Sequence, residues 1–421
     1  MTEVVFDIEA NGLDPDTIWV LCDSEGNVCR DGYAFSEEKT YYAHNGISYD
    51  YPVLSNVWGT FLPRGLGGLR DTLVLSRLAN PSRDGGHSLD AWGKRLGYPK
   101  GEHSDWSTYS PDMLVYCKRD VQVTERVLAT LKRELEGFSE QSIQLEHDVA
   151  WIIAEQERNG WLLDERKAFM LLAELKEKKL ELEETVRQTF KPCAKAVREV
   201  TPRTKKDGGV STVGLRHLGP DCTDIALGCH TRIEWQEFNL GSRKQIGERL
   251  QRAGWVPANF TETGQPKVDE STLARVEGIP EASLIADYLT LEKRIGMVQS
   301  WLELVGPDGR VHGKVNSNGA VTGRATHYQP NLAQVTAGSK IYGKEMRECW
   351  TVPKGHKLVG CDASGLELRC LAHYMNDDAY TREVISGDIH TVNQKAAGLA
   401  TRDLSKTFSY AFLYGAGAVS Y

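Results

Sequence analysis

Apolar residues near the N-terminus come in short runs separated by turn residues. Val4-Val5-Phe6 leads directly to Asp7. Trp19-Val20-Leu21-Cys22 and Thr40-Tyr41-Tyr42-Ala43 have the same strand-like character. Helical spacing then takes over around 71–79, 88–97 and 110–136. Short strands giving way to helices predict a mixed α/β domain over residues 1–135.

Residues 141–158 read as an amphipathic helix closed by Asn159-Gly160, a favourable C-cap. A second helix starts from Asp164 as N-cap and runs to about Phe190, with Leu172, Leu175, Leu182 and Val186 as its apolar stripe. Far downstream, Leu284, Tyr288, Leu291, Ile295, Val298 and Leu302 alternate at four and three, a heptad-like seam. Two long helices with matching seams predict an antiparallel hairpin arm within residues 136–304. Between them, residues 191–235 lack clear periodicity and include Lys191, Lys195, Arg198, Arg203, Lys205 and Lys206. This basic tip reads either as a solvated, mobile segment or as a phosphate-contacting one. From about 305 to 421 short strands return, then helices, and no internal repeat is visible.

Composition adds limits. The 421 residues are 40% hydrophobic and 26% charged, which fits a chain that buries a core in two or three domains. No apolar run approaches the roughly 20 residues needed to cross a bilayer, and MTEVVFDIEA reads as a first strand rather than a signal peptide. The expected location is a cytoplasm. Nine cysteines without a Cys-x-x-Cys pair point to reduced thiols. Cys222, Cys229 and His230 form a loose group in which zinc is conceivable, although the short paired spacing of common zinc sites is missing. A net charge of −8 does not favour nucleic-acid binding, yet metal-holding enzymes need carboxylate clusters and DNA is gripped by local basic patches.

Asp7 and Glu9 stand two apart on the first strand, so both side chains share a face. A solvated strand end is the plainer reading of that pair alone. Asp50, in HNGISYD, and Asp120, four residues after Tyr116 on a helix, widen the set. Four carboxylates converging from a strand, a loop and a helix could hold two metal ions about 4 Å apart, a spacing suited to attack of water on a phosphodiester. Tyr116 would orient that water. The order Asp-x-Glu, Asn-x₄-Asp, Tyr-x₃-Asp resembles the DEDDy proofreading exonucleases, which have a ribonuclease H-like fold. DIEANGL, HNGISYDYPVL, DTLVLSRL and SLDAWGKRLG are similar to the versions in T-odd phage polymerases. One departure is the short stretch before His44, where the family's usual helix is missing.

A second cluster lies further on. KLVGCDASGLELRCLAHYM reads as a strand over Leu358–Cys361 ending at Asp362, then a helix from Gly365. A carboxylate there is placed either to hold magnesium and a triphosphate or to act as a structural N-cap. Arg402, Lys406, Tyr410 and Tyr414 then recur every four residues, a stripe drifting by about 40° per step. Two cations followed by two aromatic rings suit a nucleoside triphosphate. These segments resemble motifs A and B of family A DNA polymerases of the T-odd phage type. The resemblance implies that Asp362 binds both magnesium ions and that Glu367 packs under the sugar. It gives His390 and Arg402 the β- and γ-phosphates, Lys406 the α-phosphate, Tyr410 the incoming base and Tyr414 the template position. VNSNGAVTGRATHYQPNLAQV resembles the primer-template loop, with Arg324 at the primer end and Asn331 and Gln334 reading duplex shape.

The implied architecture is α/β and α+β: a ribonuclease H-like exonuclease domain (1–135), a helical-hairpin thumb (136–304) and the start of a palm and fingers (305–421). The implied cofactor is Mg2+, two ions per site, with Mn2+ as an alternative. The partners would be primer-template DNA, single-stranded 3′ ends and dNTPs, with host thioredoxin on the tip. The family's third motif, His-Asp-Glu, is not found up to Tyr421; His147-Asp148 is followed by Val149. One carboxylate cannot hold the two-ion clamp. The expectation is therefore that polymerisation needs further sequence or a C-terminal polymerase chain, with a stand-alone exonuclease that grips DNA as the alternative. A non-enzymatic scaffold is the third reading, and the intact nuclease set counts against it.

Overall fold

A computed structural model describes residues 2–62, 68–211 and 229–415. The chain opens with strands β1 (Thr2–Ala10), β2 (Ile18–Asp23), β3 (Val28–Cys29) and β4 (Lys39–Ala43), then α1 (Asp50–Trp58), β5 (Leu69–Asp71), α2 (Thr72–Ala79), α3 (Leu89–Arg95) and α4 (Pro111–Glu134). The five strands form one sheet in the order β3-β2-β1-β4-β5. β1 lies antiparallel to β2 and parallel to β4, and β4 lies parallel to β5. No helix stands between β3 and β4.

Period-two alternation on β1 decides what each face carries. Val4, Phe6 and Ile8 enter one core, with Val53 and Leu54 of α1. Val5 enters the opposite core, with Trp92 of α3 and Cys117, Val121 and Val127 of α4. Asp7 and Glu9 continue the Val5 face, so β1 delivers two carboxylates on the side covered by α4.

Next come α5 (Glu140–Asn159), β6 (Trp161–Leu162), α6 (Glu165–Thr189), β7 (Cys193–Val200), β8 (His230–Gln236), α7 (Arg243–Arg252), α8 (Glu270–Leu273) and α9 (Pro280–Leu304). Trp151 and Ala154 of α5 pack into the first sheet core, so this helix is shared with the N-terminal layer. The helical arm forms as the seams predict. Leu171, Leu172 and Leu175 near the start of α6 meet Leu291, Ile295 and Val298 late in α9. Val186 near the end of α6 meets Ala282, Ile285 and Leu289 early in α9, which makes the pair antiparallel. Within the basic tip, the described residues include two strands that the sequence did not predict. β7 and β8 pair antiparallel from Cys193↔Gln236 to Val200↔His230. Ala194 and Ala196 lie opposite Trp235 and Ile233, but both large side chains stay exposed, so cross-strand hydrogen bonding rather than a buried apolar face defines the ribbon. Cys222 of the suggested zinc group lies outside the described residues; Cys229 is exposed.

The remaining elements are β9 (Arg310–Val311), β10 (Lys314–Asn316), β11 (Thr326–Tyr328), α10 (Gly343–Glu348), α11 (Leu366–Met375), α12 (Asp378–Ser386), α13 (Ile389–Ala396) and α14 (Arg402–Leu413). The chain divides into two compact units, Met1–Pro353 and Lys354–Tyr421. The strand expected over 358–361 does not form: Leu358 and Val359 are 63% and 87% exposed. A strand needs a ladder partner, and among the described residues none pairs with this stretch.

Candidate active site

Asp7, Glu9, Asp50, Tyr116 and Asp120 line one open cleft of about 420 Å³, together with His44, Tyr49, Lys100 and Trp106. Each arrives by a different local device. Asp7 and Glu9 come from the end of β1, where the β1–β2 register shifts between Glu9 and Ala10. Such a bulge re-aims side chains at a strand end. Tyr116 and Asp120 lie one turn apart on α4, whose N-terminus is capped by Ser110 and begins with Pro111. The Cys117 thiol donates to the Asp7 backbone carbonyl at 3.4 Å, which ties α4 to β1 behind the carboxylates.

Asp50 is the first residue of α1, not a loop residue as expected from sequence. A buried clamp, which the sequence reading did not single out, holds it there. Asp71 Oδ1 accepts the backbone N–H groups of Asn45 and Leu73, and its Oδ2 accepts that of Ile47. The Asp71 N–H in turn donates to His147 Nε2 at 2.9 Å, while His147 Nδ1 bonds the Ile143 carbonyl. His147 therefore serves the N-terminal sheet layer, and burial holds its pKa down at about 4. Asn45 sits at φ 69°, and a Cβ on Gly46 would lie 2.5 Å from the Ala43 Cβ, so the turn before Asp50 needs these small residues. An Asp before an apolar helical run is an N-cap signature, and Asp71 carried that signal in the sequence.

Around Tyr116 the ring of Trp106 packs edge-on at 5.6 Å and that of His103 tilts at 5.9 Å. Lys100 is the other residue that sequence reasoning missed. Its Nζ lies 2.5 Å from Asp120 Oδ2 and 5.0 Å from the Tyr116 ring centroid. It sits in the Gly97–Gly101 turn, where no periodicity marks it.

The electrostatics are those of crowded acids. Burial, then the Glu9, Asp120 and Asp50 charges, pushes Asp7 well above the usual carboxylate range. Burial first and Asp120 next push Glu9 up to about 9. Burial and Asp71 push Asp50 up to about 7, although backbone N–H groups work against the rise. Burial raises Asp120 despite Lys100. For Lys100 itself burial disfavours the charge, but Asp120 outweighs it and holds the ammonium more basic than usual. Glu9 Oε1 and Asp120 Oδ1 are buried without a hydrogen-bond partner. Orphaned acceptors among like charges, all facing one cleft, are the donor set of a hard divalent cation.

Unit 354–421 carries the other predicted residues. Asp362 is exposed on the extended segment ahead of Gly365, which caps α11. Glu367, in the first turn of α11, accepts the Tyr414 hydroxyl. Arg402 grips Asp388 through Nε at 2.8 Å and Nη2 at 3.0 Å. His390 lies 6.2 Å from the Tyr410 ring, and its Nδ1 is buried without a partner. Lys406 and Tyr410 lie on α14, with Arg402 at its start and Tyr414 as its C-cap. In the other unit, Arg324 lies in the turn between β10 and β11, and Asn331 and Gln334 flank or form a 3₁₀ turn over Leu332–Gln334.

Comparison with known proteins gives this arrangement its setting. The family description "DNA polymerase family A" matches residues 216–420. The DNA-directed DNA polymerase of Escherichia phage T7 is 35% identical over 89% of this chain and 68% of its own length; that of Enterobacteria phage T3 matches to the same extent. The chain belongs to family A of the DNA polymerases. DNA polymerase I of Pseudomonas aeruginosa is 26% identical over 88% of the chain and 38% of its own length. A solved structure, the POL domain of Pol1 from M. smegmatis in complex with DNA primer-template and dNTP, shares the fold at TM-score 0.70. It is 18% identical and covers 98% of this chain and 67% of that one. Family A polymerases work with divalent metals, in keeping with the donor set around Glu9. Among the described residues no helix is long and apolar enough to cross a membrane.

Proposed function

We propose that this family A polymerase acts in viral DNA replication and carries a 3′→5′ proofreading exonuclease in the cleft of Asp7, Glu9, Asp50, Tyr116 and Asp120. The observation that supports it best is the convergence of four carboxylates, three of them buried and two with unsatisfied oxygens, beside a tyrosine. Asp7, Glu9, Asp50 and Asp120 would hold two Mg2+ ions, with Mn2+ as the alternative. When bound, such ions lower the pKa of an attacking water and stabilise the leaving 3′ oxygen. Tyr116, steadied by Trp106 and His103, would orient that water. Ion binding would release protons, because the crowded acids are partly protonated without ions.

On the synthetic side, Asp362 would contribute a metal carboxylate. Lys406, His390 and Arg402 would receive the triphosphate, Arg402 exchanging its Asp388 partner for phosphate oxygens. Tyr410 and Glu367 would hold base and sugar, and Tyr414 the template position. Arg324, Asn331 and Gln334 would follow the minor groove of primer-template DNA. The β7–β8 ribbon and the tip beyond it are a candidate docking point for host thioredoxin; failure of a pull-down to retain any would count against this. The expected setting is the host cytoplasm.

The test uses a 3′ single-stranded oligonucleotide labelled at its 5′ end. Protein with Mg2+ should shorten it stepwise, and Asp7→Ala should slow this by about 10³-fold or more. Degradation that persists in Asp7→Ala would remove the assignment.

A further inference from the structure

The nuclease cleft holds four carboxylates and, among its lining residues, an ammonium that the sequence did not single out. Lys100 Nζ takes one oxygen of Asp120 at 2.5 Å and leaves the other, Oδ1, buried and unpartnered. Its side chain is 22% exposed and Asp120's 4%, so the pair sits at the wall of the cleft rather than in bulk solvent.

The backbone that presents Lys100 is fixed on three sides. A Cβ on Gly93 of α3 would lie 2.9 Å from the Tyr98 carbonyl oxygen and 3.2 Å from the Lys100 nitrogen, so that turn lies against the helix. Arg119 Nε donates to the Pro99 carbonyl at 2.9 Å, and its guanidinium stacks 3.3 Å from the Tyr98 ring centroid. A Cβ on Gly101 would touch the Tyr116 ring at 3.3 Å. A surface lysine that pairs by chance has no such mounting, and pairs of that kind contribute little. Here two glycines and an arginine hold the turn so that one cation reaches a metal-type carboxylate and the tyrosine beside it.

We propose that Lys100 is a built-in counter-ion of the nuclease site, one that holds Asp120 in the ion-free protein and must release it when a divalent cation enters. This rests on the nuclease reading of the cleft and deepens it. Loading the site is then an exchange of one tethered cation for free ones. The tethered charge sets how tightly ions bind, since an ion that takes Asp120 must displace it. Once released, the ammonium stays in the cleft because its backbone is held, and there it faces the anionic phosphodiester. Lys100 is thus a positioning residue for Asp120 and Tyr116.

The exchange predicts opposite signs in two variants of the full chain. Mn2+ binding is measured by the electron paramagnetic resonance signal of free Mn2+, counting only the ions whose binding Asp7→Ala abolishes. Lys100→Met removes the competitor and should bind Mn2+ about tenfold more tightly. At saturating Mn2+ the same variant should cut single-stranded DNA at least about tenfold more slowly, with KM little changed. Lys100→Arg strengthens the grip on Asp120 through a two-pronged contact and should bind Mn2+ several-fold more weakly, on the order of threefold. A residue that merely stabilised the fold would weaken binding in both variants.

Equal or weaker Mn2+ binding by Lys100→Met overturns the inference, as does undiminished cleavage. Should Lys100→Met fail to fold, Mn2+ binding by Lys100→Arg at or above wild-type strength overturns it. Wild-type protein that binds Mn2+ in an Asp7-dependent way but never cuts DNA would sink the nuclease reading instead; the affinities of the two variants would still decide the role of Lys100.

Discussion

At the scale of single residues, the carboxylate cleft trades stability for chemistry. Glu9 and Asp50 are pushed up to about 9 and about 7, because burial and neighbouring charge disfavour ionisation. Their folded-state pKa values lie above the unfolded ones, so the folded protein binds the extra protons. The associated stability is complete below the ordinary carboxylate range and is lost as pH rises through about 7 and then about 9. His44 and His147, held down to about 3 and about 4 by burial, act in the other direction, but only below about pH 6.5. Between pH 6.5 and 9 the raised carboxylates set the direction, opposed by the Cys22 thiol, whose pKa lies below its ordinary value. We expect the Tm of the ion-free protein to fall by roughly several degrees over that window, and Mg2+ or Mn2+ to restore it. Asp7→Asn should flatten both the fall and the rescue; a pH-independent Tm in wild-type protein without ions would contradict this. Asp7, Glu9, Tyr116 and Asp120 were readable from spacing, since a two-residue and a four-residue interval each put paired groups on one face. Lys100 and Asp71 were not singled out, because their partners lie 20 and 24 to 76 residues away in the chain.

At the scale of elements, long periodic helices were the most legible. The α6 and α9 seams found each other across the 90 residues between them because apolar stripes leave few other ways to bury themselves. Leu175, completely buried in that interface, tests the arm. Leu175→Ala should destabilise the arm by about 2–5 kcal/mol through lost contacts and a cavity. Nuclease activity in the sheet domain should be unchanged at temperatures below the shifted transition. Calorimetry and the oligonucleotide assay read the two effects separately. Short strands fared worse. β7 and β8 pair although their residues are mostly small or charged, and the 358–361 stretch stays extended and exposed although Leu358 and Val359 look like strand residues. In both cases the partner, not the local residue types, decides whether a strand exists.

At the scale of the whole molecule, the division at Pro353–Lys354 leaves the five-stranded sheet, its α5 buttress and the helical arm in one unit with its own cores. Residues 1–353 expressed alone should therefore melt cooperatively and shorten single-stranded DNA from the 3′ end at a rate within about threefold of the full chain. Loss of cleavage in a folded 1–353 fragment would show that the cleft depends on the second unit. The amino-acid sequence by itself determined family membership, the convergent carboxylates of the cleft and the long helices, because these depend on residue type at short, regular intervals. Only the tertiary structure decided that α5 serves the N-terminal sheet layer, that His147 and Asp71 brace the turn before Asp50, and that Lys100 reaches Asp120. Those are contacts between distant segments, chosen by how buried polar groups find partners once the sheet and helices have packed.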